Sequence, residues 1–269
     1  MNKTYDYRIY IPGGNDTALV MGIIEDSIDR KAINDKIMHR HTNIEQVGFV
    51  SLDMSSPRLL MAGGEFCGNA TRSAAWFYLN GQPGELEISV SGVSKKLRAG
   101  VSKELNAWAE MPVNKHLDDI TNVSDGYYLV NMEGITHLVI TPEFSKEFLS
   151  DKSDIKAQAI ELLNKFDLLS KPAAGVIFVG EQDSIGRYSI HPCVYVSSIN
   201  TMFYETACGS GTIAAGLVFC YLDKKSINVP LIQPSGKVIH AVIDVSNGEV
   251  TSAVISGPVY SDKILYKGD

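Results

Sequence analysis

No stretch of this 269-residue chain is apolar for long enough to cross a membrane; the longest such run, Ile213–Leu222, falls well short of the roughly 20 residues a spanning helix needs. The opening residues, MNKTYDYRIYIPGGND, carry charges and turn formers where a signal peptide has its apolar segment, so a cytoplasmic protein with no membrane partner is expected. Basic charge is also in short supply. With 24 Lys and Arg against 31 Asp and Glu, the net charge is −7 and the pI about 5.4, a balance that argues against nucleic acid and anionic lipid as partners. A small-molecule ligand is expected instead. Cysteines number four, Cys67, Cys193, Cys208 and Cys220, too few for a disulfide scaffold in a chain this long, and they are read as thiols. There is no C-x-x-C and no H-E-x-x-H. The only close histidine pair, His39 and His41, has a spacing that puts the two on different helix faces, so they read as solvated helix-end cations and no metal is expected.

What is present is mostly strand signal. Segments rich in β-branched and aromatic residues, bounded by Gly, Pro, Asn or Asp, occur at 87–91, 127–130, 136–141, 175–179, 188–196 and 238–245. Two peripheral amphipathic helices are predicted, Arg30–His39 and Asp154–Leu169, the second with an apolar stripe of Ile155, Ala159, Leu162, Leu163 and Phe166.

Two further helices differ from these. One follows Cys67 of GGEFCGNAT (63–71) and is stopped by Asn80, Gly81 and Pro83; the other follows Cys208 of YETACGSGT (204–212) and has almost no polar face. A helix apolar all round is a buried helix, and its small residues, Ala70, Ala74 and Ala75 in one and Ala214, Ala215 and Gly216 in the other, would let strands approach closely. Aligning the two pairs Cys67 with Cys208, Gly68 with Gly209 and Thr71 with Thr212, and each helix is followed by a Ser-Gly turn, Ser91-Gly92 and Ser235-Gly236. A repeat of this period implies two related domains. They are expected at 1–118, completed by 256–269, and at 119–255. The fold class is α/β (α+β), two pseudo-symmetric domains, each a curled, mainly antiparallel sheet around a central buried helix.

A cysteine at a helix N-terminus meets unpaired backbone N–H groups and the positive end of the helix dipole, which together stabilise a thiolate. The same donors, approached closely through glycines, can hold a carboxylate. Two such turns gripping one amino acid would place a sulfur on each side of its α-carbon. One thiolate would take the α-proton and the other thiol would return a proton to the opposite face, with no cofactor. One sulfur should rest as thiolate and the other as thiol, since two facing thiolates repel. Cys193 in a strand and Cys220 inside an apolar helix read instead as buried hydrophobes.

With these residues the chain resembles the diaminopimelate epimerase superfamily of cofactor-independent racemases and epimerases, most closely the histidine racemases of opine-metallophore pathways. The resemblance runs through P-G-G-N at 12–15, E-Q-V-G-F at 45–49, both cysteine turns and Q-P-S-G at 233–236. It implies that Cys67 and Cys208 are the acid/base pair. Gly68, Asn69, Gly209 and Ser210 match the turns that bind the α-carboxylate, and Asn15 and Gln46 match polar residues lining the cleft. The arginine that holds the distal end of diaminopimelate is absent before Cys208, and the N-x-x-F asparagine is replaced in Gly175-Val176-Ile177-Phe178. Of N-P-H only His137 remains, a candidate cleft residue. Glu45 and Glu205 could meet the substrate ammonium or an imidazole, or could merely be solvated or cap a turn. Asn15 could merely shape a turn, and Gln46 satisfy backbone.

The expected activity is interconversion of L- and D-histidine, with diaminopimelate or another amino acid as the alternative substrate. Proline racemases carry an aspartate four residues before the second cysteine, where this chain has Tyr204. From another class, a ligand-binding protein or a non-racemising isomerase of the same fold is the competing reading, disfavoured by retention of both thiols. A homodimer is left open.

Overall fold

The computed structural model describes residues 4–197 and 200–269. They group into two compact units, one running to Glu110 and including Ser256–Asp269, the other Met111–Ile255. The change of unit falls at residue 110, not after 118, because 111–118 bond into the second unit. Met111 N donates to Ala253 O (2.9 Å), Val250 N to Lys115 O (2.6 Å) and Leu117 N to Gly248 O (3.2 Å), and Val113 bridges to Met132.

The first unit contains β1 (Tyr5–Ile11), β2 (Thr17–Met21), α1 (Ser27–Arg40), β3 (Gln46–Val50), β4 (Arg58–Met61), α2 (Gly68–Tyr78), β5 (Gly84–Val90), β6 (Leu97–Val101) and β7 (Asn106–Glu110). The predicted helix at 30–39 starts earlier, because Asp26 caps it by accepting from Ile28 N and Asp29 N. Its Ile33 and Ile37 pack against Tyr7, Ile9, Val20, Val47 and Phe49. Each such side chain, fully buried, stabilises the fold by about 1.5–3 kcal/mol.

The second unit contains β8 (Thr121–Ser124), β9 (Tyr127–Met132), β10 (Ile135–Ile140), α3 (Pro142–Ser150), α4 (Ile155–Lys165), β11 (Ala173–Val179), β12 (Tyr188–Val196), β13 (Thr201–Tyr204), α5 (Gly209–Asp223), β14 (Ile227–Ile232), β15 (Val238–Ser246) and most of β16 (Glu249–Pro258). Helix α3 has no counterpart among the sequence expectations. Helix α4 ends four residues before Leu169, at Lys165, with Asp167 left-handed (φ 57°). Its stripe is as read: Ile155, Ala159, Leu162 and Leu163 are buried against Phe178 and Cys193, with Phe166 at the margin. The chain then returns to the first unit, where β17 (Tyr260–Ser261) and β18 (Tyr266–Gly268) both pair antiparallel with β1.

The two units repeat one strand path. In the first, β1–β2 is antiparallel, β2–β3 parallel, β3–β4 antiparallel, β4–β5 parallel and β5–β6 antiparallel. In the second, β9–β10, β10–β11, β11–β12, β12–β14 and β14–β15 follow the same alternation. Parallel neighbours need a crossover, and helices supply it: α1 and α2 in one unit, α3 with α4 and then α5 in the other. This is the α+β, pseudo-symmetric architecture expected. The crossover helices α2 and α5 lie inside their sheets: Gly68–Ala75 is buried without a break, as is Gly211–Val218.

Close approach explains the small residues. A Cβ on Gly216 would come within 2.8 Å of Ala241 Cβ and 2.9 Å of Ile243 Cδ1 on β15. Gly216→Val should therefore cost about 1–3 kcal/mol through overpacking. Urea unfolding measures this directly, and an unchanged midpoint would show that β15 does not press on α5.

Candidate active site

Both motif cysteines are N-caps. Cys67 is extended (φ −137°, ψ 115°) and its Sγ accepts from Ala70 N at 3.4 Å. Cys208 is nearly superposable in conformation (φ −128°, ψ 111°), and its Sγ accepts from Gly211 N at 3.2 Å. The threonine four residues on is explained by geometry: Thr71 Oγ1 donates to Cys67 O (2.8 Å) and Thr212 Oγ1 to Cys208 O (2.6 Å), doubling the helical N–H bond to the same carbonyl. The Ser-Gly turns brace the segments before each cysteine. Ser91 Oγ donates to Glu65 O (2.7 Å) and Ser235 N to Thr206 O (2.9 Å), in each case two residues ahead of the sulfur.

In the first unit the candidate residues converge through a side chain that the sequence reading did not single out. Arg72 is fully buried, and its Nη1 donates both to Pro12 O and to Asn69 Oδ1 at 3.2 Å, tying the Pro12–Asn15 turn to the Cys67 turn. Nε donates to Ala107 O (3.0 Å) and Nη2 to Pro258 O (3.2 Å). Asn15 is left-handed (φ 57°), so it does shape its turn, and Gln46 Nε2 donates to Thr17 Oγ1 (2.8 Å) and Asn15 O (3.3 Å), holding that turn. Glu45 is exposed, and its N–H donates to Asp16 O beside the same turn. Gly68 and Asn69 are buried in the first turn of α2.

In the second unit His137, Glu205, Cys208, Gly209 and Ser210 come together. Ser210 Oγ lies 3.4 Å from Cys208 Sγ and 2.9 Å from His137 Nε2. His137 is wholly buried on β10 opposite Gly175 of β11, where a Cβ would sit 2.4 Å from its Nδ1, so the glycine makes room for the ring. Its Nδ1 has no hydrogen-bond partner. An orphaned N–H is rarer than an orphaned acceptor, so the proton belongs on Nε2, donated to Ser210. Burial holds the ring neutral, its pKa lowered to about 3. Gln233, the first residue of Q-P-S-G, fixes the turn from below: its Oε1 accepts from Cys208 N (3.0 Å) and its Nε2 donates to Thr212 Oγ1 and Leu231 O (3.1 Å each). Only its place in the motif marked it in the sequence.

The four thiols divide as their surroundings dictate, and none is in a disulfide. Cys193 and Cys220 are completely buried, and desolvation pushes both up to about 12, so they are inert core residues. Cys208 is also raised well above an ordinary thiol, first by burial and then by the neighbouring Glu205 carboxylate, to which its S–H donates. Cys67 is partly exposed. Of the histidine pair, His39 is exposed as expected, but His41 is not simply solvated: its Nε2 meets Tyr7 OH at 2.8 Å and its ring packs edge-on to Tyr7 and Tyr266. Among the described residues, no group of three or more His, Cys, Asp or Glu side chains could hold a metal ion, and no helix is long and apolar enough to cross a membrane.

The family described as the histidine racemase CntK N-terminal domain matches residues 5–263, nearly the whole chain. The chain belongs to this family. It is similar to the histidine racemase of Fusobacterium nucleatum, 30% identical with 96% of this chain and 94% of that one covered, and to the histidine racemase of Staphylococcus aureus, 24% identical with 89% of each covered. Its fold is that of a PhzF-family phenazine biosynthesis protein from Bacillus anthracis (TM-score 0.65, 11% identity, 99% of both chains) and of a hydroxyproline epimerase from Agrobacterium vitis (TM-score 0.63, 10% identity, 99% of this chain and 93% of that one). This CntK-family chain is thus a member of the PhzF and diaminopimelate epimerase superfamily, a pyridoxal-phosphate-independent racemase or epimerase acting on small amino-acid-like substrates.

Neutral burial of His137 has a pH signature. The unfolded chain protonates this histidine near pH 6.5 and the folded protein only near 3, so the unfolded state binds the extra proton between those values. Stability from this group is complete above about pH 6.5 and is lost as pH falls toward 3, by up to about 1.4 kcal/mol per pH unit. His137→Asn should flatten the urea-derived stability profile in that window. In wild type the His137 ring resonances should stay fixed from pH 8 to 5.

Proposed function

We propose that the protein interconverts L- and D-histidine by a two-thiol mechanism, with Cys67 and Cys208 as the acid/base pair. The observation that carries this reading is the duplicated N-cap: in each unit a cysteine sulfur opens a buried helix and accepts its first-turn N–H. The substrate assignment is supported by the histidine racemases of similar sequence that span nearly the same length.

In this reading the α-carboxylate takes N–H donors from the Gly68-Asn69 and Gly209-Ser210 turns, and their positive ends stabilise the charge that grows on it as the α-proton leaves. One sulfur, as thiolate, removes the α-hydrogen: the C–H bond breaks, an S–H bond forms, and the electron pair passes into the carboxylate as an enolate. The other thiol delivers its proton to the opposite face of that carbon. The two sulfurs then hold exchanged protonation states and the chirality is inverted. Glu45 and Glu205 are the acidic groups for the ammonium and the imidazole, and Asn15 and Gln46 shape the entrance turn. His137 acts through Ser210 on Cys208, as a positioning group.

The test is proton NMR in deuterated water with reductant and no pyridoxal phosphate, using a panel of L-amino acids and diaminopimelate. Loss of the α-proton signal from histidine, with D-histidine accumulating, is expected. Exchange only with diaminopimelate or another amino acid would move the substrate assignment, and no exchange at all would favour a binding protein of this fold. Cys67→Ser and Cys208→Ser should each lower histidine racemisation, followed by circular dichroism, by about 10²–10⁴-fold. Full turnover by either single variant would overturn the two-thiol mechanism.

A further inference from the structure

The repeat makes its differences informative. Five residues after each cysteine stand Arg72 in the first unit and Ile213 in the second, and both are completely buried. Three residues before each stand Gly64 and Glu205. One copy of the turn has acquired a cation and the other an anion.

Arg72 is an expensive residue to keep. A buried guanidinium without a counter-ion is strongly disfavoured, and the four acceptors that hold this one, Pro12 O, Asn69 Oδ1, Ala107 O and Pro258 O, are all neutral. Its anchor on Asn69 places it within the first turn of α2, the turn capped by Cys67.

We infer that Arg72 is the internal counter-ion of Cys67, so that the resting protein carries its thiolate on Cys67 and its proton on Cys208. This rests on the two-thiol reading for its catalytic meaning, but not for its chemistry. Burial lowers the guanidinium to about 9, leaving it charged at neutral pH, and the anionic form of Cys67 pushes it back up, which is the reciprocal of Arg72 holding that thiolate.

The other charges around the Cys67 turn are turned outward. Glu65 is exposed. On the strands packed against α2, β2 has no charged residue. Glu85 and Glu87 of β5 and Arg98 of β6 are exposed, with Glu85 pairing with Arg98, and Glu110 of β7 pairs with Lys95. Around Cys208 the pattern is opposite: the Glu205 carboxylate accepts a hydrogen bond from its S–H and so keeps the proton on sulfur, His137 of β10 is neutral, and Asp244 of β15 is exposed. Arg72 is a positioning residue here, acting on the base and not on substrate.

The inference is tested without turnover. Thiolate absorbance at 240 nm is titrated for reduced wild type, Cys67→Ser and Cys208→Ser; Cys193 and Cys220, raised to about 12, are silent in this range. A thiolate titrating below the ordinary value of about 8.5 is expected in wild type and Cys208→Ser and absent in Cys67→Ser. Loss of that signal in Cys208→Ser in place of Cys67→Ser would overturn the assignment. In the Cys208→Ser background, the pH midpoint of Cys67 alkylation by iodoacetamide, read by mass spectrometry, should rise by at least about one unit in Arg72→Gln, with Arg72→Lys between that variant and Arg72. An unchanged midpoint in the variants would remove Arg72 from the account. Should Arg72→Gln not fold, Arg72→Met, neutral and of similar apolar length, is read in its place, and an unchanged midpoint there overturns the inference equally. A protein that titrates as expected but leaves histidine unexchanged would sink the substrate assignment while this inference stands.

Discussion

The first-turn N–H groups of a helix have no partner within the helix, and in both halves of this protein a cysteine sulfur meets one of them. Much else serves that contact. Threonine hydroxyls fold back on the cysteine carbonyls, serine residues of the following turns brace the approach, and Gln233 ties down the amide of Cys208. Sulfur is a poor acceptor as a thiol and a good one as a thiolate, so a cap made of sulfur couples the protonation of that atom to the integrity of a helix terminus. Structure and chemistry share one atom in each unit.

The repeat is easiest to see in the strand path, which alternates antiparallel and parallel neighbours in the same order twice, and hardest to see in the side chains. Where the two copies have kept the same residue type, as at Cys67 and Cys208 or Thr71 and Thr212, the function is geometric and common to both. Where they have diverged, at Arg72 and Ile213 or Gly64 and Glu205, the difference is electrostatic. Duplicated scaffolds with opposite local charge are a direct way to make two chemically identical groups unequal.

Legibility from sequence followed the range of the interactions. The cysteine turns were readable because a short motif occurs twice, each time before an apolar helix, and the stripe of α4 because its period is local. The end of that helix was misjudged since Leu168 and Leu169 continue the apolar pattern after the chain has turned through left-handed Asp167, so burial persists where the helix does not. Helix α3, nine residues starting at Pro142, is too short to show a convincing period. Arg72 was invisible for another reason: on a helix read from its sequence, an arginine marks the solvent side, and nothing local announces that four oxygens, one of them Pro258 O from 186 residues away, converge on it. His41 was misread similarly, its tyrosine partners Tyr7 and Tyr266 lying on two strands far apart in the chain.

The pairing of β17 and β18 with β1 makes the first unit discontinuous in the chain, whereas the second is a single uninterrupted segment. During synthesis the ribosome therefore delivers everything the second unit needs before it delivers the last strands of the first. The half that is begun first is finished last, and until then the outer edge of β1 is an open template for misplaced strands.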